Sequence, residues 1–521
     1  MSPHGRSSIE GPPPRAPLWL VPAALLVTLP ALGKAPAIDE ETYLHLGRVL
    51  DVLRPYDWAR SWPPWDADGF VFAHPPLHLW WMAALRGLDG LPAISRAVAG
   101  APWIALFAFA VVRLAHRLTH HPSLAAATWL ASTVTLLGLH DTWMIDLPYA
   151  ALVTFSLAAW REAIDDPRWE LPAGVAMGLA CVTKYPALLF CAVLLAHMAR
   201  RGVRWRVWVP ALGIFGAVEG WLAVAYGRPH LWEVWSRRGE IASGEPLGRA
   251  VGVLVRLALA PLPLVLFRSK PAVATAGALG GLLLLALARP VTSGTWLLVV
   301  SAGLGGAMVA RAVWAAASQP YRRRKGDRDD GLLLGGWVLA GVLGVAALHN
   351  YAAARYLLPV TAPIAILLAR SAEEVLWGKA IQRVAVGLSG ALAIALAVAD
   401  WRFAAAGAEV AAKVVAAAPE GGRFAGEWSF RDGMERAGWT RLRPGEALPP
   451  GTWVAVAANA SPGDVDTTRL EPMQRVESED HFPLRVVHVD RGVGLYAETM
   501  GPLPFGWVEG PVEAATLFKA R

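Results

Sequence analysis

The chain has 521 residues, of which 55% are hydrophobic and only 17% are charged, and its mean hydropathy is +0.39. These values are typical of a protein that crosses a membrane several times, and they exclude an ordinary soluble domain. The formal net charge of +7 does not indicate nucleic-acid binding, because the basic residues cluster in short loops between apolar segments. The two cysteines, Cys181 and Cys191, lie in apolar segments, which predicts buried thiols without a disulfide.

The first apolar segment, residues 18–32, follows an N-terminal stretch that carries Arg6 and Arg15. A spanning helix needs about 20 apolar residues, and short positive loops mark the cytoplasmic side. We therefore predict that residues 1–17 are cytoplasmic, that residues 18–400 form a transmembrane domain, and that the polar stretch 34–89 is a long external loop with amphipathic helices. Counting the first segment, thirteen spans are predicted, the other twelve near residues 97–112, 123–139, 147–160, 171–183, 186–199, 207–226, 248–268, 271–288, 292–312, 331–348, 357–370 and 383–400.

The basic loops agree with this count. With thirteen spans, the basic clusters at residues 200–206 and 322–325 both face the cytoplasm, as the positive-inside rule expects. Residues 401–521 lack a long apolar run and alternate strand-like stretches with Gly/Pro turns, which predicts a small α/β domain. An odd number of spans places this domain outside, in the periplasm if the cell has an outer membrane. No phosphate-binding loop or GxGxxG fingerprint occurs in the sequence, so no nucleotide cofactor is expected.

Acidic residues gather where the chain should leave the membrane. Asp39, Glu40 and Glu41 follow the first apolar segment, and Asp146 stands at the external end of a later one. A carboxylate at a bilayer face is costly to place and is usually solvated, paired or functional. Asp146 has the competing interpretation of a helix N-cap, because it precedes an apolar run.

Cationic residues are predicted at the same face. Lys184 occupies the helix break Thr183–Pro186, Arg355 precedes Tyr356 at another external end, and His74 opens a His-Pro-Pro-Leu stretch. Cations that converge beside carboxylates make a candidate phosphate site. The alternatives are a snorkelling anchor for Lys184 and an interfacial anchor for Arg355.

Five stretches together resemble the GT-C glycosyltransferases, within the branch shared by protein O-mannosyltransferases and aminoarabinose lipid A transferases (bacterial family 39-type enzymes). The resemblance covers roughly residues 15–400. The matching stretches are the acidic pair Asp39-Glu40, the HPPL-type element 73–77, the D-x-P element 144–148, the GLA-x-x-TK stretch 178–184 and the RYLLP element 355–359.

This resemblance implies a membrane enzyme of the inner (cell) membrane that moves a sugar, with inversion, from a polyprenyl-phosphate donor to a lipid, glycan or protein acceptor at the external face. Asp39 would be the catalytic base or an acid that orients the acceptor, with Asp146 and Glu40 as further catalytic residues. The donor phosphate would face the residues Lys184, Arg355, His74 and Tyr356.

One departure bears on metal binding. Where the aminoarabinose branch has Glu-Lys, this chain has Ala73-His74, so the glutamate that can hold a metal is missing. A divalent ion bound by Glu40, Glu41 and His74 is one prediction, and contact of His74 with phosphate is the other.

Two other classes of function compete. A secondary transporter or flippase would use charged residues inside the membrane, and Glu219 is the residue that favours it. A non-catalytic scaffold with a partner-binding external domain would not need paired external acids.

Overall fold

The computed structural model describes residues 15–57, 74–202, 204–236, 246–259, 271–288, 296–317, 327–372, 379–443 and 445–521. The basic cluster 322–325 and Ala73 therefore lie outside the described residues. Most of the chain is helical, and the described helices are α1 (Leu20–Leu26), α2 (Glu40–Val49), α3 (Leu77–Ala84), α4 (Pro92–Leu118), α5 (Pro122–Leu130), α6 (Thr133–His140), α7 (Asp146–Ala163), α8 (Glu170–Cys181), α9 (Ala187–Arg201), α10 (Trp205–Tyr226), α11 (His230–Ser236), α12 (Pro246–Leu257), α13 (Pro271–Ala288), α14 (Trp296–Ala317), α15 (Asp327–Leu348), α16 (Leu358–Ala372), α17 (Lys379–Ala417) and α18 (Trp428–Arg436).

Five of these helices are long and apolar enough to cross a membrane, namely α4, α10, α14, α15 and α17, and the bent pair α5–α6 makes a sixth if it is one span. The two halves of that pair meet at 61°. Other predicted spans coincide with helices too short to cross alone, such as α8 with 12 residues and α16 with 15. The structure thus has a helical membrane body, while the number thirteen stays a prediction.

Close helix packing in this body depends on small residues. A Cβ atom at Gly174 of α8 would lie 2.1 Å from the carbonyl oxygen of Val207 in α10, and one at Gly306 of α14 would lie 2.1 Å from that of Gly277 in α13. Any side chain there would push the helices apart. Backbone-to-backbone contact of this kind is the usual way in which helices associate inside a membrane, where the hydrophobic effect between them is weak.

The predicted external loop 34–89 contains the two short helices α2 and α3. With 10 and 8 residues, neither is long enough to span a bilayer. A hydrogen bond from the Leu77 N–H to the carbonyl of Val182 (3.2 Å) ties the start of α3 to the break between α8 and α9. The loop is thereby folded back onto the helical body.

The C-terminal part is an α/β domain joined to the body by one continuous helix. α17 has 39 residues, about 58 Å at 1.5 Å per residue, so it runs through the boundary predicted at residue 400 and carries on into the domain. α18 packs against this extension. The described strands are β1 (Arg423–Ala425), β2 (Thr440–Arg441), β3 (Trp453–Ala457), β4 (Leu470–Glu477), β5 (Leu484–Arg485), β6 (Val487–His488), β7 (Val493–Gly494), β8 (Gly506–Trp507) and β9 (Ala514–Ala520).

The main sheet has the strand order β2-β1-β3-β9-β4. β1 runs parallel to β2 and β3, while β9 runs antiparallel to both β3 and β4, with Ala455 opposite Leu517. The two short pairs β5–β8 and β6–β7 lie outside this sheet. Residues that follow β7 reach the helical body, and this contact brings the domain close to the predicted site.

Candidate functional site

Four of the predicted residues form one chain of alternating charges. Arg355 Nη2 lies 3.0 Å from Asp39 Oδ2, and Arg355 Nε lies 3.4 Å from Asp146 Oδ2. Lys184 Nζ lies 2.7 Å from the other oxygen of the same carboxylate, Asp146 Oδ1. Because two carboxylates face two cations, the cluster has no net charge. Exposure divides it, since the Asp39 side chain is 46% exposed and the other three are buried.

Asp39 is placed by a strained turn at the start of α2. The residue before it, Ile38, has a φ of 55°, in the left-handed region that a β-branched side chain strongly disfavours. Such a conformation costs about 1–3 kcal/mol, so the surrounding structure must hold it. Asp39 occupies the N-cap position of α2 but its side chain makes no capping hydrogen bond. Its carboxylate is directed to Arg355 instead.

Asp146 and Lys184 belong to the helix ends that face each other. Asp146 is the first residue of α7, where Ile145 holds the N-cap position, and its carboxylate accepts from Lys184 rather than capping the helix. Lys184 lies in the break between α8 and α9 and is only 1% exposed, so it does not snorkel to water. Burial lowers the pKa of the Lys184 ammonium from its ordinary value, and the Asp146 carboxylate opposes this shift.

Aromatic rings surround the two cations. The Tyr356 ring lies 4.5 Å from Lys184 Nζ and 5.0 Å from the Arg355 guanidinium. The Tyr351 hydroxyl accepts a hydrogen bond from Arg355 Nη2 (2.9 Å), and the ring of His349 stacks on Tyr356 at 4.0 Å. The role of Tyr351 and His349 was not predicted. The signal that could have found them is their position four and six residues before Arg355, between the same two apolar segments.

Two nitrogens of Arg355, Nε and Nη1, make no hydrogen bond to the described residues, and Nε has the 3.4 Å ion pair with Asp146. Among the residues that the structure describes, Nη1 of Arg355 is buried and has no hydrogen-bond partner. A buried unpaired donor on a guanidinium is costly and calls for an explanation, of which a catalytic role or a bound water or ion are examples. Nη1 is therefore the donor of Arg355 through which an anionic oxygen would be bound.

His74 lies near this cluster, since its side chain interacts electrostatically with that of His349. Its carbonyl oxygen accepts a hydrogen bond from the Tyr56 hydroxyl (2.8 Å), which fixes the start of the His-Pro-Pro-Leu stretch. The Leu77–Val182 hydrogen bond then connects that stretch to the segment that carries Lys184. Three of the motifs thus meet through direct contacts.

Glu40 does not join the cluster. It is fully buried and makes a bidentate ion pair with Arg96, with Nη1–Oε1 and Nη2–Oε2 distances of 2.8 and 3.1 Å. It also accepts from the backbone N–H groups of Ala37 and Trp143. With its oxygens committed in this way, Glu40 ties α2 to α4 and to the turn before α7, and the catalytic role that the sequence suggested stays a prediction.

Glu41 points toward the C-terminal domain. Its Oε1 accepts from the Thr42 hydroxyl (3.2 Å), and its charge interacts with Arg431 of α18 and with Asp39. Burial, together with the Asp39 carboxylate, raises the pKa of Glu41 to about 8. At neutral pH this side chain is mostly protonated.

The predicted metal ligands do not gather. Glu40 is used by Arg96, Glu41 faces α18, and His74 lies toward His349. In the described part of the chain, no group of three or more His, Cys, Asp or Glu side chains is arranged to hold a metal ion. These residues do not fit the predicted divalent ion, and no step below involves one.

A second buried ionic cluster was not predicted. Lys34 Nζ lies 2.5 Å from both Asp141 Oδ1 and Asp400 Oδ2, and the Tyr496 hydroxyl donates to Asp400. It joins the first segment, the turn before α7, α17 and the C-terminal domain. The partners in this cluster are too distant in sequence for a local pattern to reveal them.

Glu219, the residue that favoured transport, also has local partners. It lies in α10, where it accepts from the Tyr185 hydroxyl (2.5 Å) and from the backbone N–H of Leu231 at the start of α11 (3.0 Å). These contacts give it a structural role at the end of the membrane body.

Comparison with known proteins finds distant structural likeness only. No protein-family model and no curated protein sequence matches the chain. Two crystal structures of ArnT from Cupriavidus metallidurans are similar to it: the form bound to undecaprenyl phosphate, with 16% identity and a TM-score of 0.41, and the apo form, with 17% identity and a TM-score of 0.35. Each covers 84% of this chain and 92% of the other. A likeness of this degree assigns no role to any residue here, so the roles below rest on the contacts.

Proposed function

We propose that the chain is a membrane glycosyltransferase of the GT-C type, which transfers a sugar from a polyprenyl-phosphate donor to a hydroxyl acceptor at the external face of the cell membrane. The observation that carries this proposal is the half-exposed Asp39 carboxylate, held 3.0 Å from the buried Arg355, whose Nη1 lacks a partner within the described residues. This reaction needs a solvent-exposed base beside buried cationic groups that still have a free hydrogen-bond donor for an anion.

The reaction would proceed by a single displacement. The acceptor oxygen attacks the anomeric carbon while Asp39 takes the hydroxyl proton, and the bond from that carbon to the phosphate oxygen breaks. The electron pair of the broken bond stays on the phosphate, so the products are the glycosylated acceptor, with inverted configuration, and the free polyprenyl phosphate. General-base catalysis of this kind contributes about 10²–10⁴-fold.

The leaving phosphate gains negative charge as the bond breaks. Arg355 offers its unused Nη1 donor and Lys184 its ammonium, and both are buried, where electrostatic stabilisation is stronger than in water. Asp146 holds the two cations together before the donor arrives. The Tyr356 ring lies beside both cations. We propose that His74, which interacts electrostatically with His349, contacts the same phosphate.

Topology supports the external location. The predicted orientation puts the N-terminus in the cytoplasm and the loop 34–89, the α8–α9 break and the segment 349–356 outside. A polyprenyl tail would lie along the apolar surface of the membrane body, to which α10 contributes exposed side chains such as Trp205, Leu212 and Val224.

The test uses the purified full-length protein and lipid extracts that contain labelled polyprenyl-phosphate sugars. We expect transfer by the wild type and a loss of about 10²–10⁴-fold in kcat for Asp39→Asn. The matched control is Asp89→Asn, because Asp89 is also an external carboxylate paired with an arginine, Arg48 at 3.0 Å, but lies outside the cluster. Its kcat should stay close to wild type. Equal activity of Asp39→Asn and wild type would remove Asp39 from the mechanism, and no transfer by the wild type from any such donor would overturn the proposed function.

A further inference from the structure

The segment that carries Arg355 is held by the C-terminal domain. Residues 494–498 of that domain, here called the strap, lie against residues 352–354. The Ala354 N–H donates to the carbonyl of Leu495 (3.3 Å), and the Glu498 N–H donates to the carbonyl of Ala352 (3.1 Å). The Ala352 N–H in turn donates to the Glu498 carboxylate. Three hydrogen bonds therefore fix the backbone directly before Arg355.

The strap is itself anchored on both sides. Within its own domain, the Leu495 N–H donates to the carbonyl of Val486 (2.9 Å). On the membrane body, Arg256 of α12 donates through Nε to the carbonyl of Leu495 (3.1 Å) and through Nη2 to that of Gly494. Tyr496 donates to Asp400 of α17. Each of these contacts is buried, so the strap cannot move without breaking buried hydrogen bonds.

Arg355 directly follows the segment that the strap contacts. It lies in the short 3-10 helix Ala354–Leu357, whose N-terminal end is the segment that the strap contacts. The side chain must hold Asp39 and Asp146 at 3.0 and 3.4 Å at the same time. A displacement of about 1 Å in such a group costs on the order of 10²-fold in rate.

We propose that the strap is a positioning device for the active site, in which Glu498 holds the backbone that aims Arg355 at the donor phosphate. Glu498 touches neither substrate nor reacting atoms, so it is a positioning residue. The C-terminal domain is then part of the catalytic apparatus, and not only a surface for the acceptor. The catalytic part of this inference rests on the proposed function, whereas the mechanical part does not.

The decisive variants differ in one hydrogen bond. Glu498→Ala removes the acceptor of the Ala352 N–H, while Glu498→Gln keeps a side-chain oxygen that can accept it. Arg402→Ala is the control, because it breaks another contact of the C-terminal domain, the ion pair from Arg402 to Asp480 (3.0 Å), away from the strap. All three are purified as full-length protein and checked for a single elution peak and for melting temperature.

Two measurements are made on each variant. In hydrogen–deuterium exchange, the peptide that contains Ala352 and Ala354 should exchange faster in Glu498→Ala than in the wild type, and Glu498→Gln should restore most of the protection. In the transfer assay, Glu498→Ala should lower kcat by at least about tenfold, as misplacement of a catalytic group predicts, with a smaller change in the KM for the donor. Glu498→Gln and Arg402→Ala should stay close to wild type in kcat.

The results separate the two proposals. A wild-type kcat in Glu498→Ala, or an equal loss in Arg402→Ala, overturns the positioning role and leaves the proposed function intact. If the wild type transfers no sugar, the proposed function fails, and the exchange experiment alone then decides whether the strap holds this segment. Equal exchange in wild type and Glu498→Ala overturns the strap. Should Glu498→Ala fail to fold, Tyr496→Phe, which removes only the hydroxyl that donates to Asp400, takes its place with the same expected results.

Discussion

Asp146 makes ion pairs with two buried cations, so its replacement tests the central cluster without any assumption about substrate. Asp146→Asn keeps the shape of the side chain but removes its charge, which leaves the buried Lys184 without its carboxylate partner and Arg355 with Asp39 alone. Removal of one partner from a buried ion pair costs about 3–5 kcal/mol, because the remaining charge is left without compensation. We expect a loss of stability of this size.

The loss should depend on pH, with a sign that follows from Lys184. Burial already holds the native pKa of Lys184 below its ordinary value, and Asp146 opposes that shift, so the variant lowers the native pKa further. Between the lowered native pKa and the ordinary value of about 10.4 in the unfolded chain, the unfolded state binds more protons, and stability therefore rises with pH. The deficit of Asp146→Asn should be largest near neutral pH and should shrink as the pH approaches about 10.

The assay is thermal unfolding in detergent, followed by the fluorescence of the 25 tryptophans, over a series of buffers from neutral to alkaline pH. Asp89→Asn is again the control, since its 3.0 Å pair with Arg48 has a similar length but is 42% exposed on the arginine side and 32% on the aspartate side. An exposed pair contributes about 0–1 kcal/mol. Equal changes in melting temperature for the two variants, or a deficit of Asp146→Asn that does not shrink at alkaline pH, would refute the buried-charge reasoning.

Three further predictions concern residues outside the cluster. Glu40→Gln should destabilise the protein by about 3–5 kcal/mol, because it leaves Arg96 buried without its counter-charge. The folded fraction of this variant should retain most of the transfer rate. Thermal unfolding and the kcat of the folded fraction test this, and a selective loss of kcat would support a catalytic role for Glu40. Glu41→Gln should be more stable than wild type at alkaline pH. The native pKa of about 8 for Glu41 lies above the ordinary value of 4.5, so the wild type loses stability as the pH rises between these two values and the variant does not. Melting temperatures measured across this pH range test the prediction. Mild oxidation with copper phenanthroline should link Cys181 to Cys191, whose sulfur atoms lie 3.9 Å apart, and the linked peptide should be detectable by mass spectrometry; failure to form it would show that the α8–α9 hairpin is packed differently.

Local patterns were sufficient to select the members of the site. Asp39, Asp146, Lys184 and Arg355 each stand at an end of an apolar run, where a charge is visible against its surroundings in the sequence. The cost of burying a charge explains why such residues stand out, and the structure brings all four within one set of ion pairs. The composition predicted the helical membrane body for a related reason, because the cost of burying charge keeps membrane-spanning segments apolar.

The choice of partners was decided only by tertiary structure. Asp39 and Arg355 are 316 positions apart, and no local pattern distinguishes Asp39, which reaches Arg355, from its neighbour Glu40, which pairs with Arg96. The side chains of adjacent residues at the beginning of a helix point in different directions, so neighbouring carboxylates contact different residues. The predicted metal ligands fail to gather for this reason.

The link between the C-terminal domain and the site was equally invisible in the sequence. The strap contacts residues 352–354 mostly through backbone groups, which every residue possesses and which leave no mark on the amino-acid pattern. Glu498 itself looks like an ordinary surface residue in a mixed segment. Sequence alone therefore determined which charges the membrane face must accommodate, whereas the fold decided which of them meet, because backbone contacts and long-range pairing depend on the path of the whole chain.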